Sequence, residues 1–250
     1  MNIVSDNIPK TKTEICKKYL LQIQKKLAVN TWAKERPTCK QEIIELLKTC
    51  NQIFGEIPGY IKVLKSILEN LSRSDSIKWL NYFSIIRCAY YLQTQGVNIT
   101  AFEKKKNRNP IDLEINKKTL CEIKSFEPRL EKTDNAIALE EYVFDNFLKN
   151  KIIKALEKQK ADLVIIDDIF SYESKNYGFL NYFLSFINDP DTERYEMIQK
   201  KLGKYLPKIL ILSFTSSMAI NPIIRDLMGN EWAKLLSQRK LKTHTRCVPA

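Results

Sequence analysis

The sequence predicts an α/β protein: a mixed β-sheet core flanked by helices, with an all-helical N-terminal region. Three observations carry this. Apolar residues recur at three- and four-residue steps through the first 73 positions, the period of helices that bury one face. Short segments rich in β-branched residues (VNITAFE, IDLEI, TLCEIKS, DLVIID and KILILSF) punctuate the remainder. Tight turns join the early ones and a long amphipathic stretch separates the later ones. That spacing predicts an antiparallel meander followed by a right-handed crossover to a parallel strand.

In chain order, residues 11–29 place Ile15, Tyr19, Leu20, Ile23 and Leu27 on one helical stripe. After Pro37 a second helix aligns Ile43, Leu46, Leu47 and Cys50. Gly55, Pro58 and Gly59 break the chain before a third helix, YIKVLKSILENL. Region 1–73 is therefore read as helical, and 74–250 as the α/β domain. Ser74, Asp75 and Ser76 offer N-caps to a helix over 77–95 that Gly96 stops. Strands are expected at 97–103, 111–115 and 119–125, with KKKNRNP as a basic loop between the first two. Residues 136–160 predict the strongest amphipathic helix. DLVIID and KILILSF read as strands buried on both faces. Between them, 171–207 reads as an aromatic-rich helical insertion. AINPIIRDLMG and NEWAKLLSQRK are expected to be terminal helices.

The chain of 250 residues carries 41 Lys and Arg against 29 Asp and Glu, a formal net charge of +12. That excess favours a polyanionic partner, although an AT-biased coding sequence would also enrich Lys, Ile and Asn and leave only 6 Gly. No apolar run is long enough to span a bilayer, and the polar N-terminus lacks a signal-peptide core, so a cytoplasmic protein without membrane partners is expected. The six cysteines (16, 39, 50, 88, 121 and 247) form no CxxC pair and meet a single histidine, His244. This argues against both a zinc site and a disulfide framework, and for reduced thiols.

The stretch NPIDLEINKKTLCEIKSF, 109–126, carries the chemistry. Strand alternation sends Ile111, Leu113 and Ile115 to one face and Asp112 and Glu114 to the other. On the next strand Cys121 and Ile123 oppose Glu122 and Lys124. If Asn116-Lys117-Lys118 closes a loop with Ile115 opposite Thr119, Asp112 lies across from Glu122. A two-residue shift would instead set Asp112 across from Lys124. Two opposed carboxylates are destabilising unless a proton or a cation sits between them. With a lysine two residues on, the set suits metal-assisted phosphodiester hydrolysis. Hard oxygen ligands bind Mg²⁺, the Ile123 carbonyl is a further ligand candidate, and the ammonium neutralises developing charge.

Pro110-Ile111-Asp112 followed by Glu122-Ile123-Lys124 resembles the motif of the PD-(D/E)xK nuclease superfamily, and the element order from 76 to about 228 is similar to that restriction-endonuclease-like fold. The resemblance implies that Asp112 and Glu122 hold Mg²⁺, with Mn²⁺ able to substitute, and that Lys124 is the catalytic lysine. It implies a DNA endonuclease and suggests a restriction or phage-defence setting. RNA as substrate stays open. Ile111 intervenes between the proline and the aspartate. The helix 77–95 carries no acid where many family members have a Glu; Asn81 and Asp75 are the nearest substitutes. A non-catalytic nucleic-acid-binding protein of the same fold is the alternative. The N-terminal region is expected to add recognition or homodimerisation.

Lys104, Lys105, Lys106 and Arg108 suit either a phosphate-holding loop or a solvated hairpin tip. Lys149, Lys151, Lys154, Lys158 and Lys160 are read as a solvated helix back in preference to a cleft wall. Glu140 and Glu141 suit the positive end of the same helix. Asp167 and Asp168 are read as capping the turn after a buried strand, and the aromatics between Tyr172 and Phe186 as core. His244 is given no role.

Overall fold

A reciprocal cap starts the first helix, α1 (Lys12–Val29). The Thr11 hydroxyl accepts the Glu14 N–H while the Glu14 carboxylate accepts the Thr11 N–H at 3.0 Å. The computed structural model describes residues 11–72, 78–106, 109–125, 146–167, 193–213 and 223–243. The short helix α2 (Thr31–Glu35) is capped by Asn30, and α3 (Pro37–Phe54) begins on its proline, which has no N–H to leave unpaired. Ile43, Leu46, Leu47 and Cys50 are all buried, as their spacing predicts. After α4 (Tyr60–Leu71) comes α5 (Trp79–Thr94). Its end is a left-handed Gly96 at φ +79°, with the Val97 N–H returning to the Leu92 carbonyl. The expected caps Ser74, Asp75 and Ser76 lie outside the described residues.

Six strands form one sheet in sequential order: β1 (Ile99–Lys106), β2 (Asn109–Ile115), β3 (Thr119–Ser125), β4 (Leu163–Asp167), β5 (Ile209–Ser213) and β6 (Ile223–Met228). β1, β2 and β3 are the expected antiparallel meander, β3–β4 and β4–β5 are parallel, and β6 returns antiparallel to β5. The protein is thus α/β, with a mixed sheet flanked by helices and a helical N-terminal region. Two local expectations are corrected. The segment IIRDLM is strand, because β5 would otherwise be a bare sheet edge and pairs with it instead. Lys104, Lys105 and Lys106 are strand as well, paired with Ile111, Pro110 and Asn109.

Helix α6 follows β3 in the chain and departs from ideal winding. Leu148–Ile153 is π-helical and passes into an α-helical turn, Lys154–Glu157. The end of the expected 136–160 helix is corrected: the helix stops at Glu157, and Lys160 turns out of it at φ +61°, with the Ala161 N–H returning to the Ala155 carbonyl. Residues 136–145 of that expected helix, with Glu140 and Glu141, lie outside the described residues. So do Arg108, Asp168, His244 and the aromatics from Tyr172 to Phe186. Before β5 come α7 (Glu193–Leu202) and a 3-10 turn, Leu206–Lys208; after β6 comes α8 (Asn230–Thr243). Trp232 is fully buried and fixes α8 by donating to the Lys208 carbonyl at 2.9 Å.

Each sheet face has its own core. Leu113, Cys121, Ile123 and Ile165 share one continuous cluster with α1 to α5. The N-terminal helices dock through the Gly55–Gly59 break: the Phe102 N–H donates to the Pro58 carbonyl at 2.8 Å, Phe54 meets Phe102 edge to face, and Tyr60 packs tilted against both. Gly59, at φ +86°, lies so close to the Phe102 carbonyl that a Cβ would sit 1.9 Å from its oxygen. On the opposite face Val164, Ile166, Ile209 and Ile211 pack with Leu148 and Ile152 of α6 and Leu202 of α7. Among the described residues no helix is long and apolar enough to cross a membrane.

Candidate functional site

The β2–β3 hairpin takes the register in which Ile115 faces Thr119 and Leu113 faces Cys121. The turn itself enforces it. Asn116 and Lys117 adopt φ +54° and +62°, and the Lys118 N–H closes on the Ile115 carbonyl, a geometry whose twist matches that of the strands. The same register sets Asp112 opposite Glu122. Glu122 and Lys124 pair with Val164 and Ile166 of β4 and so project to the α6 side of the sheet. Ile111 departs from the expected face: it joins Leu120 and Ala161 in a small separate cluster rather than the main core.

The structure brings together the three residues singled out by the motif. Asp112 is half-buried and accepts the backbone N–H of Ile123 at 2.8 Å. The Lys124 ammonium contacts Glu122 Oε2. Glu122 is 1% exposed, and its other oxygen, Oε1, has no hydrogen-bond partner among the described residues. Burial pushes the Glu122 carboxyl up to about 8. The adjacent Asp112 carboxylate adds to this, and Lys124 opposes it. Burial works to lower the Lys124 pKa, but the Asp112 and Glu122 carboxylates outweigh it and hold the ammonium above its usual value.

This donor set fits a hard divalent cation. Two carboxylates stand side by side, and one presents a buried oxygen that no donor satisfies, a costly state without a proton or a metal. The Ile123 carbonyl follows Glu122 directly in sequence, between it and Lys124. Mg²⁺ characteristically uses one or two carboxylates and retains water for its other positions, so the set suffices in number. No group of three or more His, Cys, Asp or Glu side chains converges among the described residues.

The basic candidates divide. Lys104 is tied to Glu114 at 3.1 Å, and the Thr100 hydroxyl donates to the same carboxylate, so Lys104 has a structural partner. The backbones of Lys105 and Lys106 continue β1 toward the site end of the sheet. Lys149, Lys151 and Lys154 are exposed on α6, as a solvated helix back requires; Lys158 and Lys160 are exposed too, but they lie past the helical turn that ends at Glu157, Lys160 at φ +61°. The thiols of Cys16, Cys39, Cys50, Cys88 and Cys121 are free and buried, and burial raises the pKa of Cys50, Cys88 and Cys121.

One constellation went unread in the sequence. Asp167, fully buried at the end of β4, is held from α5 by Arg87 through Oδ1 and by the Ser84 hydroxyl through Oδ2. Alternation along β4 puts it on the α5 face, opposite Glu122 and Lys124. The helix on which an acid was sought thus spends its polar residues on the other side of the sheet. A signal was present: Arg87 interrupts an otherwise apolar run, and a buried guanidinium demands an acid such as the one closing LVIID.

Compared with models of protein families, with curated proteins and with solved structures, the chain matches none.

Proposed function

We propose that this protein is a divalent-metal-dependent endonuclease that hydrolyses phosphodiester bonds in DNA. The observation that carries the reading is the convergence of Asp112, Glu122 and Lys124 on one face of a hairpin, with a buried carboxylate oxygen left without a donor. Asp112 and Glu122 hold Mg²⁺ or Mn²⁺. When bound, the ion polarises the phosphoryl oxygen and makes the attacking water more acidic. The Lys124 ammonium, kept charged by both carboxylates, sits where negative charge develops on the phosphate. The Ile123 N–H fixes the rotamer of Asp112 and so the separation of the two acids. The net charge of +12 supports a polyanionic substrate. The resemblance of Pro110-Ile111-Asp112 and Glu122-Ile123-Lys124 to the PD-(D/E)xK motif supports the reaction class.

The second reading is a nucleic-acid-binding protein without cleavage. It is favoured by the absence of any acid in α5 and of a third converging carboxylate among the described residues. Plasmid cleavage with Mg²⁺ or Mn²⁺ decides between them. Nicking by the wild type that Asp112→Asn and Lys124→Ala abolish supports the enzyme. Salt-sensitive binding without nicking, by a folded protein, supports the second reading.

A further inference from the structure

We infer that the edge of the sheet where β3 and β4 begin is an electrostatic seat for a nucleic-acid backbone, formed by Lys117, Lys118, Lys158 and Lys160. The topology brings two separate segments together there. The Asp162 N–H donates to the Leu120 carbonyl at 2.8 Å, and the Leu120 N–H donates to Asp162 Oδ2 at 2.8 Å. This reciprocal pair clamps the segment leaving α6 against the hairpin turn, and Ala161 packs with Leu120 and Ile111 beneath it. All four lysine side chains are exposed. Asp162 is used by Leu120; Glu157 is used by Tyr205 and Lys204 and also feels the charge of Lys160.

A second observation sets this edge apart from a chance run of lysines. Four non-glycine residues hold positive φ among the described residues, and two are these lysines: Lys117 at +62° and Lys160 at +61°. Glycine or asparagine relieves that conformation, and lysine does not. Each of these conformations closes a local element, the hairpin turn at Lys117 and the end of α6 at Lys160, where the Ala161 N–H returns to the Ala155 carbonyl, and each keeps an exposed lysine where glycine would be easier.

The edge also has a useful reach. Lys118, in the turn just before β3, lies four residues before Glu122, at most about 13 Å along the chain. A backbone phosphate held there flanks one held at the carboxylates, and Lys105 and Lys106 lie toward the other end of the hairpin. The inference rests on the nucleic-acid reading above for its ligand, but it does not require cleavage.

The test is fluorescence anisotropy of the full chain with a short labelled DNA duplex in EDTA, which bars metal chemistry, across a salt titration. The double variant Lys118→Gln, Lys158→Gln is expected to lower the slope of log affinity against log salt by roughly two, since each phosphate contact contributes about 0.9. It is expected to weaken two unrelated duplexes by the same factor. The control Lys25→Gln, Lys48→Gln removes two exposed lysines from α1 and α3 and should leave the slope unchanged. Equal slopes for both double variants would overturn the inference, as would binding to anionic vesicles with none to DNA. Plasmid nicking, measured separately, reports on the carboxylate site: loss of nicking in Lys124→Ala with an unchanged slope in the double variant would retain the nuclease and reject the seat.

Discussion

Asp112 reaches across the hairpin to accept the backbone N–H of Ile123 at 2.8 Å, the residue between Glu122 and Lys124. One hydrogen bond thus couples the position of one acid to the strand segment carrying the other acid and the ammonium. The three groups behave as one unit, so their removal should be strongly non-additive. Asp112→Asn and Lys124→Ala are each expected to reduce metal-dependent nicking by about 100-fold or more. The double variant should fall little further. Multiplicative losses in the double variant would show that the groups act separately.

Acid–base behaviour offers an assay that needs no substrate. The Glu122 carboxyl is raised from the usual carboxylate range to about 8, chiefly by burial and then by Asp112. Between the unfolded value and about 8 the folded state binds the extra proton, so stability falls as pH rises through this window and is level above it. The loss is at most a few kcal/mol. In EDTA, Glu122→Gln should match the wild type near pH 4 and exceed it in melting temperature at pH 8. Mg²⁺ should narrow that gap by stabilising the wild type alone. Parallel melting curves for the two proteins from pH 4 to pH 8 would contradict the assignment.

The Arg87–Asp167 pair predicts a different signature. It is buried on the opposite face, and burial raises the Asp167 carboxyl even though Arg87 and Ser84 oppose it. Arg87→Leu leaves a carboxylate with no countercharge in the core and should cost roughly 3–5 kcal/mol in urea denaturation. Replacing both, Arg87→Met with Asp167→Leu, should recover much of that loss, because an apolar pair carries no desolvation penalty. A double variant as unstable as Arg87→Leu would mean that the pair contributes more than charge compensation.

The face sorting of the hairpin was readable because strand alternation excludes a one-residue slip; alternation also allows a two-residue shift, and the folded hairpin, with Ile115 facing Thr119, selects between them. β6 was not readable. IIRDLM is a short apolar run that fits helix or strand equally by period, and only the exposed edge of β5, a tertiary fact, selects strand. The site acids were readable as a motif and as a shared face. Their burial was not, because alternation names a face without saying what covers it. Asp167 was misjudged for a related reason: an acid closing a strand reads as a cap until the helix that supplies Arg87 is placed beside it.

Lys117 links the stability of the fold to its proposed use. At φ +62° it occupies the left-handed region at a cost of about 1 kcal/mol that glycine avoids. Lys117→Gly should therefore raise the urea midpoint by an amount near that value, less the extra chain entropy that glycine brings to the unfolded state. Lys118→Gly, one residue on and without positive φ, should lower it. If the turn presents Lys117 to a phosphate backbone, the same Lys117→Gly variant should bind DNA more weakly and with a shallower salt slope. Stability and affinity would then move in opposite directions. A gain in stability with unchanged binding would assign the strain to turn geometry alone and remove Lys117 from the seat.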